Sequence, residues 1–145
     1  MRNRVAVMHG VNLDMLDRRP AEHYGGLTFA RLEHLVEQHA RALGLEPRFF
    51  HTNHEGEFVE ELHRLDGLAD AILLNPGAWT HYAWAIRDAL EITALPSVEV
   101  HLSDVDARED WRKLSVIGDL CLARIKGKGV DGYREALERL REALQ

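Results

Sequence analysis

The amino-acid sequence predicts an α/β fold, a flavodoxin-like three-layer sandwich with a five-stranded parallel sheet. The first observation behind this prediction is that strand-like apolar runs alternate with helix-like patterns to the end of the chain. The second is that no linker divides the 145 residues, so we expect one domain over residues 1–145. The third is that four predicted strands end in polar clusters, which begin at Asn12, Asn53, Asn75 and Glu99. Ligands of open α/β sheets bind beyond the carboxyl ends of the strands, so these clusters predict a site.

The predicted strands differ in how strongly their sequence indicates burial. Residues 5–8 and 71–74 are continuous apolar runs closed by turn residues, which is typical of central parallel strands. Residues 97–102 alternate apolar and polar side chains, as a strand does. Residues 48–51 supply a fourth strand, and residues 121–125 a weaker fifth.

Helical periodicity fills the intervals between these strands. The first pattern follows a Thr28 cap, places Leu32 and Val36 on one face, and stops at Gly44. Further patterns cover residues 58–65, 82–92 and 132–144. Strand and helix therefore alternate as a doubly wound sheet requires.

Composition excludes several classes of protein. The net charge is −6 and the basic residues are scattered among acids, which argues against a nucleic-acid partner. Cys121 is the single cysteine, so an intramolecular disulfide is impossible and we expect a buried, inert thiol in a reducing compartment. We find neither a signal peptide nor a segment able to span a bilayer, so we expect a cytoplasmic protein without a membrane partner.

Residues 11–27 are too many for a tight connection between a strand and its helix, and long loops in compact domains are usually functional or disordered. Gly25 and Gly26 offer a hinge, and Arg19 and Tyr24 could carry chemistry. One interpretation is a lid loop at about residues 17–27 that closes over a substrate. The alternative is a solvated basic loop.

Glu99 and His101 are two residues apart on a predicted strand, so their side chains leave the same face. A carboxylate there can orient one imidazole nitrogen and leave the other for a substrate. The alternative is a solvent-facing ion pair. Asn75-Pro76-Gly77 likewise could contribute to a site or form a turn and nothing more.

Taken together, the motifs resemble the type II 3-dehydroquinate dehydratases, and the resemblance covers almost the whole chain. A series of motifs that match the family in the same order is more specific evidence than any single motif. The motifs are Gly10-Val11-Asn12-Leu13-Asp14, Arg19 with Tyr24-Gly25-Gly26, residues 52–57, residues 75–81, residues 87–90, residues 98–103, Ala107-Arg108-Glu109 and Arg112.

The resemblance implies dehydration of 3-dehydroquinate to 3-dehydroshikimate in the shikimate pathway, without a cofactor or a metal ion. Elimination of water from this β-hydroxy ketone needs a base, stabilisation of an enolate, and an acid for the leaving hydroxyl. By resemblance the base is Tyr24, whose phenolate Arg19 favours, because a nearby cation stabilises an anion. Asn12 holds a water against the enolate oxygen, and His101, oriented by Glu99, is the acid.

The same resemblance implies the substrate contacts and the assembly. Asn75 and the backbone amides of Leu102 and Ser103 correspond to the pocket for the substrate carboxylate. His81 and Arg112 correspond to contacts with ring hydroxyls and neighbouring groups. Asp88 corresponds to a residue that reaches the site of the next subunit, in a dodecamer built as a tetramer of trimers.

The chain departs from the usual family pattern at several positions. Val11 replaces a proline and Asp14 an asparagine, which removes a φ constraint and adds a negative charge near the enolate site. Trp79 stands where tyrosine is usual, and Asp104 where asparagine is usual. Lys113-Leu114 replaces a frequent His-His pair.

Two alternatives from other classes use the same predicted sheet. A flavodoxin-like module that binds a small ligand such as a flavin would need a phosphate-binding loop after the first strand, and residues 10–17 do not form one. A phosphoreceiver would need acidic residues after the first and third strands, and this chain does not have them there. A metallohydrolase could use several of the nine histidines, although none has the spacing of a ligand pair on a helix. None of the three lysines lies in a strongly apolar strand, which argues against imine chemistry.

Overall fold

The sheet is parallel throughout, and its strand order is β2-β1-β3-β4-β5. The structure is a computed structural model that describes residues 1–145. Its strands are β1 (Arg4–His9), β2 (Glu46–His51), β3 (Ala71–Asn75), β4 (Ser97–His101) and β5 (Ala123–Lys126). This architecture confirms the predicted five-stranded α/β fold, including the weak fifth strand.

The chain has five α-helices, and all of them except the short α1 cover the two faces of the sheet. They are α1 (Ala21–Tyr24), α2 (Phe29–Ala42), α3 (Glu55–Arg64), α4 (Trp84–Thr93) and α5 (Val130–Leu144). The Thr28 side chain accepts a hydrogen bond from the Arg31 N–H and caps α2 as predicted. None of these helices combines the length and the apolar character needed to cross a bilayer.

Alternate residues of the central strands feed two separate cores. Val5 and Val7 of β1 belong to the core beneath α2 and α5, whereas Ala6 and Met8 belong to the core beneath α3 and α4. All four side chains are at most 1% exposed. Burial on both faces explains why β1 reads as a continuous apolar run.

The segment after β1 is more ordered than predicted. A 3-10 helix spans Leu13–Arg18 and buries Leu13 and Leu16 in the core, and α1 follows directly. The expectation of one long loop over residues 11–27 is therefore wrong, because residues 13–18 and 21–24 are helical. Gly25 and Gly26 both have φ of +69°, so the turn after α1 uses the conformational freedom of glycine.

The ends of β1 and β3 approach each other closely beneath the predicted site. His9 pairs with Asn75 in the sheet, and the Gly10 N–H donates to the Asn75 carbonyl at 2.8 Å. A Cβ atom at Gly10 would lie 2.3 Å from the Pro76 carbonyl oxygen, so only glycine fits. This contact brings the turn at Asn12 beside the turn at Gly77.

Candidate active site

A cavity of about 350 Å³ lies beyond the carboxyl ends of β1, β3 and β4. Nine of the eleven candidate residues line it. These are Asn12, Arg19, Tyr24, Asn75, His81, His101, Leu102, Ser103 and Arg112. Of the other two, Glu99 is fully buried behind His101, and Asp88 is exposed on α4 outside the cavity of its own chain.

The hydroxyl of Tyr24 accepts hydrogen bonds from two guanidinium groups. Arg19 Nη2 donates at 2.7 Å and Arg108 Nη1 at 2.8 Å. Each guanidinium carbon also lies near the tyrosine ring, 4.5 Å from its centroid for Arg19 and 5.6 Å for Arg108. Both hydrogen bonds to this oxygen therefore come from donors that carry positive charge.

Arg108 has a contact that the sequence did not reveal. It occurs in the Ala107-Arg108-Glu109 motif, but no site role was predicted for it. The sequence does not show that Arg108 contacts Tyr24, because 84 residues separate the two. A 3-10 helix over Val105–Ala107 turns the chain after β4 and carries Arg108 over the cavity. Arg108 Nη1 also lies 3.4 Å from Ser103 Oγ, so it joins the predicted lid to the end of β4.

Glu99 and His101 form a buried pair. His101 Nε2 lies 2.5 Å from Glu99 Oε2, and the carboxylate also accepts from Thr80 Oγ1 at 2.5 Å, Ser115 Oγ at 2.7 Å and Arg124 Nε at 3.2 Å. Burial opposes ionisation of Glu99, but the hydrogen bonds and the charge around it outweigh burial and lower its pKa to about 2. The alternative of a solvent-facing ion pair is therefore wrong.

The Glu99 contact leaves His101 Nδ1 as the ring nitrogen without a partner in the protein. His81 stacks on His101 with centroids 6.4 Å apart and an interplanar angle of 16°. Its own Nδ1 lies 2.7 Å from the Leu114 carbonyl oxygen. Burial lowers the pKa of His81 more than this hydrogen bond raises it, so a neutral ring is favoured beside His101.

Asn75 ends β3 with a fixed side-chain orientation. Its Oδ1 accepts from the Gly77 N–H at 3.1 Å, and Gly77 has φ of +66°. Asn75-Pro76-Gly77 is therefore both a turn and part of the cavity wall, and the two interpretations of this motif do not exclude each other. Leu102 and Ser103 follow β4 and form the neighbouring wall.

Asn12 is exposed and adopts a left-handed conformation with φ of +69°. Asn53, from the turn after β2, holds this conformation by accepting from the Asn12 N–H at 2.7 Å. Asn53 Nδ2 lies 3.2 and 3.3 Å from the two carboxylate oxygens of Asp14. The Asp14 carboxylate therefore contacts Asn53, and its Oδ1 lies 3.7 Å from His51 Nε2. Asp14 does not line the cavity.

Two other departures from the family pattern also lie outside the cavity lining. Trp79 is 5% exposed and packs edge-on against Phe58, with ring centroids 5.7 Å apart. Asp104 caps the 3-10 helix before Arg108 by accepting from the Asp106 N–H at 3.3 Å. Both residues therefore support the fold around the site.

Metal-ligating side chains do not gather anywhere in the structure. No three side chains of His, Cys, Asp or Glu lie close enough together to hold an ion. Cys121 is half-buried, and desolvation raises the pKa of its thiol to about 12. The thiol is therefore protonated at neutral pH, as expected of an inert cysteine, but the expectation that it is buried is wrong, because its burial is only intermediate.

The fold and the site define a doubly wound α/β protein whose ligand cavity combines a phenol, several cations and a carboxylate–imidazole pair. The model of the family "Dehydroquinase class II" matches residues 3–141. The chain belongs to this family.

Similar proteins cover almost the whole chain. The 3-dehydroquinate dehydratase of Thermotoga neapolitana is 45% identical over 139 residues, which are 96% of this chain and 94% of that protein. The type II dehydroquinase structure from Butyrivibrio crossotus is 33% identical with a TM-score of 0.91 over 96% of this chain and 97% of that one. The type II dehydroquinase structure from Propionibacterium acnes is 35% identical, also with a TM-score of 0.91, over 98% of both chains.

Proposed function

We propose that this protein dehydrates 3-dehydroquinate to 3-dehydroshikimate, a hydro-lyase reaction of aromatic amino-acid biosynthesis. Membership of the dehydroquinase class II family supports the reaction, as do relatives with that activity in their names. One observation carries the assignment of roles. The Tyr24 hydroxyl, bonded to two guanidinium groups, lines the same cavity as the imidazole that Glu99 orients.

The first step is removal of a proton next to the ketone by the Tyr24 phenolate. A tyrosine at its ordinary pKa of about 10 is a poor base at neutral pH, because most of it is protonated. Arg19 and Arg108 stabilise the anion with charge-assisted hydrogen bonds. The product of this step is an enolate, and a water held by Asn12 stabilises its oxygen.

The second step is loss of the β-hydroxyl with a proton from His101, which makes the whole reaction an anti elimination. Glu99 holds Nε2, so Nδ1 is the nitrogen that serves the leaving group. The ionised Glu99 accepts from the Nε2–H of His101, so the proton for the leaving group is carried on Nδ1. Thr80, Ser115 and Arg124 keep this carboxylate in place.

Substrate binding uses the remaining walls of the cavity. Asn75 and the backbone amides of Leu102 and Ser103 bind the carboxylate, which is consistent with their position at the ends of β3 and β4. His81 and Arg112 contact the ring hydroxyls and neighbouring groups. A volume of about 350 Å³ suits one small cyclic acid.

The chain acts as one dehydroquinase domain with a lid at about residues 17–27. Tyr24 reaches the cavity from the end of α1, and Gly25-Gly26 follows as the hinge. We place the protein in the cytoplasm, since its one cysteine offers no disulfide.

Assembly into trimers and then dodecamers is part of the proposal. Three aromatic side chains are exposed: Tyr82 at 57%, Trp84 at 61% and Trp111 at 50%. Tyr82 follows His81 of the cavity wall in the sequence, and Trp111 packs edge-on against the His81 ring. Trp84 and Asp88 are four residues apart on α4 and therefore share one helix face. Exposed aromatics beside an acidic side chain that its own cavity does not use are consistent with a subunit boundary.

Subunit mixing tests the role of Asp88 in a neighbouring site. Asp88→Ala and Tyr24→Phe subunits, refolded together, should form some sites without either defect. Activity that neither parent shows is then expected in the mixed oligomer. If the co-assembled mutants stay as inactive as the parents, Asp88 does not act across the boundary.

The reaction itself is tested by adding 3-dehydroquinate to the purified protein and following absorbance of the conjugated enone. A rise in proportion to enzyme concentration is expected, and a chelator should leave it unchanged. The absence of any rise at micromolar enzyme would overturn the assignment.

A further inference from the structure

Three polar side chains form a buried chain that leads from the protein interior to the cavity. The Tyr133 hydroxyl on α5 lies 3.0 Å from His9 Nε2 on β1 and 2.9 Å from Asn75 Nδ2 on β3. His9 and Tyr133 are fully buried, and Tyr133 belongs to an otherwise apolar core. Neither lines the cavity, and neither has a role in the steps above.

The direction of each hydrogen bond follows from the groups at the two ends. The Gly77 N–H can only donate, so Asn75 Oδ1 faces it and Asn75 Nδ2 faces Tyr133. The Tyr133 oxygen therefore accepts from Asn75, and its own proton goes to His9 Nε2, the one acceptor within reach. This arrangement needs a neutral His9, and burial, followed by the effect of His51, lowers the pKa of His9 to about 3.

The arrangement leaves His9 Nδ1 buried without a partner. Burial of a polar group without a hydrogen bond lowers the stability of the fold, and two apolar side chains would avoid this loss. Packing alone therefore does not explain why His9 and Tyr133 form a polar pair inside an apolar core. The contacts indicate a function at the other end of this series of hydrogen bonds, at Asn75.

We propose that Tyr133 and His9 are positioning residues that hold one side-chain N–H of Asn75 toward the ligand carboxylate in the cavity. Asn75 Nδ2 has two hydrogens, of which Tyr133 takes one, and the other has no acceptor in the protein. His9 keeps the Tyr133 oxygen in the accepting role, and a chain of hydrogen bonds strengthens its members. The inference rests on the proposed function, because that function puts a carboxylate at Asn75.

Calorimetric titration with quinate and with its neutral methyl ester isolates the carboxylate contact. We expect Tyr133→Phe to weaken quinate about tenfold, the size of one hydrogen bond to a charged group, and to change the ester by less than about twofold. A packing defect would weaken both ligands alike. Equal changes, no change, or a wild-type protein that does not prefer quinate over the ester would overturn the inference.

Two substitutions at His9 provide a matched pair that does not depend on the folding of Tyr133→Phe. His9→Gln offers an acceptor near the position of Nε2 and should keep the quinate preference, whereas His9→Leu offers none and should lose it. Equal behaviour of the two variants contradicts the inference. Measurement of turnover separates the proposed function from the positioning role. A wild type that is inactive but still prefers quinate contradicts the proposed function alone. An active wild type, together with a Tyr133→Phe variant whose quinate preference is unaltered, contradicts the positioning role alone.

Discussion

Tyr24 differs from the other two tyrosines in the groups around its hydroxyl. Two guanidinium groups donate to it, whereas Tyr133 contacts an amide and an imidazole, and Tyr82 has no hydrogen-bond partner in the chain. Positively charged donors reach the Tyr24 oxygen, while burial raises the pKa of Tyr133. These contacts support the proposal that Tyr24, and neither of the other two tyrosines, is the base.

Arg19→Ala and Arg108→Ala should each lower turnover of 3-dehydroquinate by roughly ten- to a hundredfold. Each change removes one charge-assisted hydrogen bond, which is worth about 1.5–3 kcal/mol. The surviving activity should shift to higher pH, since the phenolate loses a positive neighbour. Arg18→Ala is the matched control, because Arg18 is exposed and does not line the cavity. An unshifted profile would leave Arg19 and Arg108 as substrate contacts only.

His101→Ala should suppress elimination more than it suppresses enolate formation, because in the proposed mechanism Tyr24 removes the proton before the hydroxyl leaves. Exchange of substrate hydrogen with deuterated solvent, followed by mass spectrometry, reports the first step, and the enone reports both. A parallel fall in exchange and elimination would show that His101 does not act mainly on the leaving group.

At the scale of elements, the β1–β3 junction brings Asn12 and Asn75 to the same cavity. Gly10→Ala should destabilise the protein by about 1–3 kcal/mol and lower turnover, because a Cβ there would meet the Pro76 carbonyl. Gly56→Ala on α3 is the matched control. A Cβ at Gly56 meets nothing within 4 Å, so the change should stabilise the helix by about 0.5–1 kcal/mol. Urea unfolding of both variants makes the comparison, and equal midpoints would contradict the account of this junction.

The sequence predicts elements well where burial is uniform along them. Residues 71–74 read as a central strand because β3 is buried on both faces, and Thr28 marks the start of α2 by its cap. The 3-10 helix over Leu13–Arg18 was not predicted, since six residues are too few to show a helical period.

The same limit applies to the site. Residues at strand ends, such as Asn75 and His101, were predicted to meet because parallel strands end at one edge. Arg108 and Tyr133 were not, because their contacts join segments that are 84 and 58 residues apart. No local pattern marks an arginine that reaches a lid, or a helix tyrosine that crosses a core.

For the whole molecule, burial of His9 couples stability to pH. Its folded pKa of about 3 lies below the ordinary value of 6.5, so between these values the unfolded chain binds one proton more. The free energy of unfolding should therefore fall as pH falls through 6.5, by up to about 1.4 kcal/mol per pH unit. Five carboxyl groups have a lowered pKa and change stability only below their ordinary pKa values, which are 3.8 for Asp and 4.5 for Glu. They are Asp70, Glu99, Asp106, Glu109 and Asp119.

Urea unfolding between pH 7 and 5, at one protein concentration, measures this slope. His9→Gln should reduce it, and His81, whose pKa is also lowered, should supply part of what remains. His63→Gln is the control, because His63 lies exposed on α3. A slope that His9→Gln leaves intact would contradict the burial of a neutral imidazole.

The central claim is that this fold dehydrates 3-dehydroquinate with Tyr24 as its base. The most direct measurement is the rate of enone formation by the wild type, Tyr24→Phe and Tyr82→Phe, since each variant loses a single oxygen. We predict rapid turnover by the wild type and by Tyr82→Phe, and a loss of several orders of magnitude for Tyr24→Phe, which should still fold and bind ligand. Turnover by Tyr24→Phe close to that of the wild type, or no turnover by any of the three, would contradict the claim.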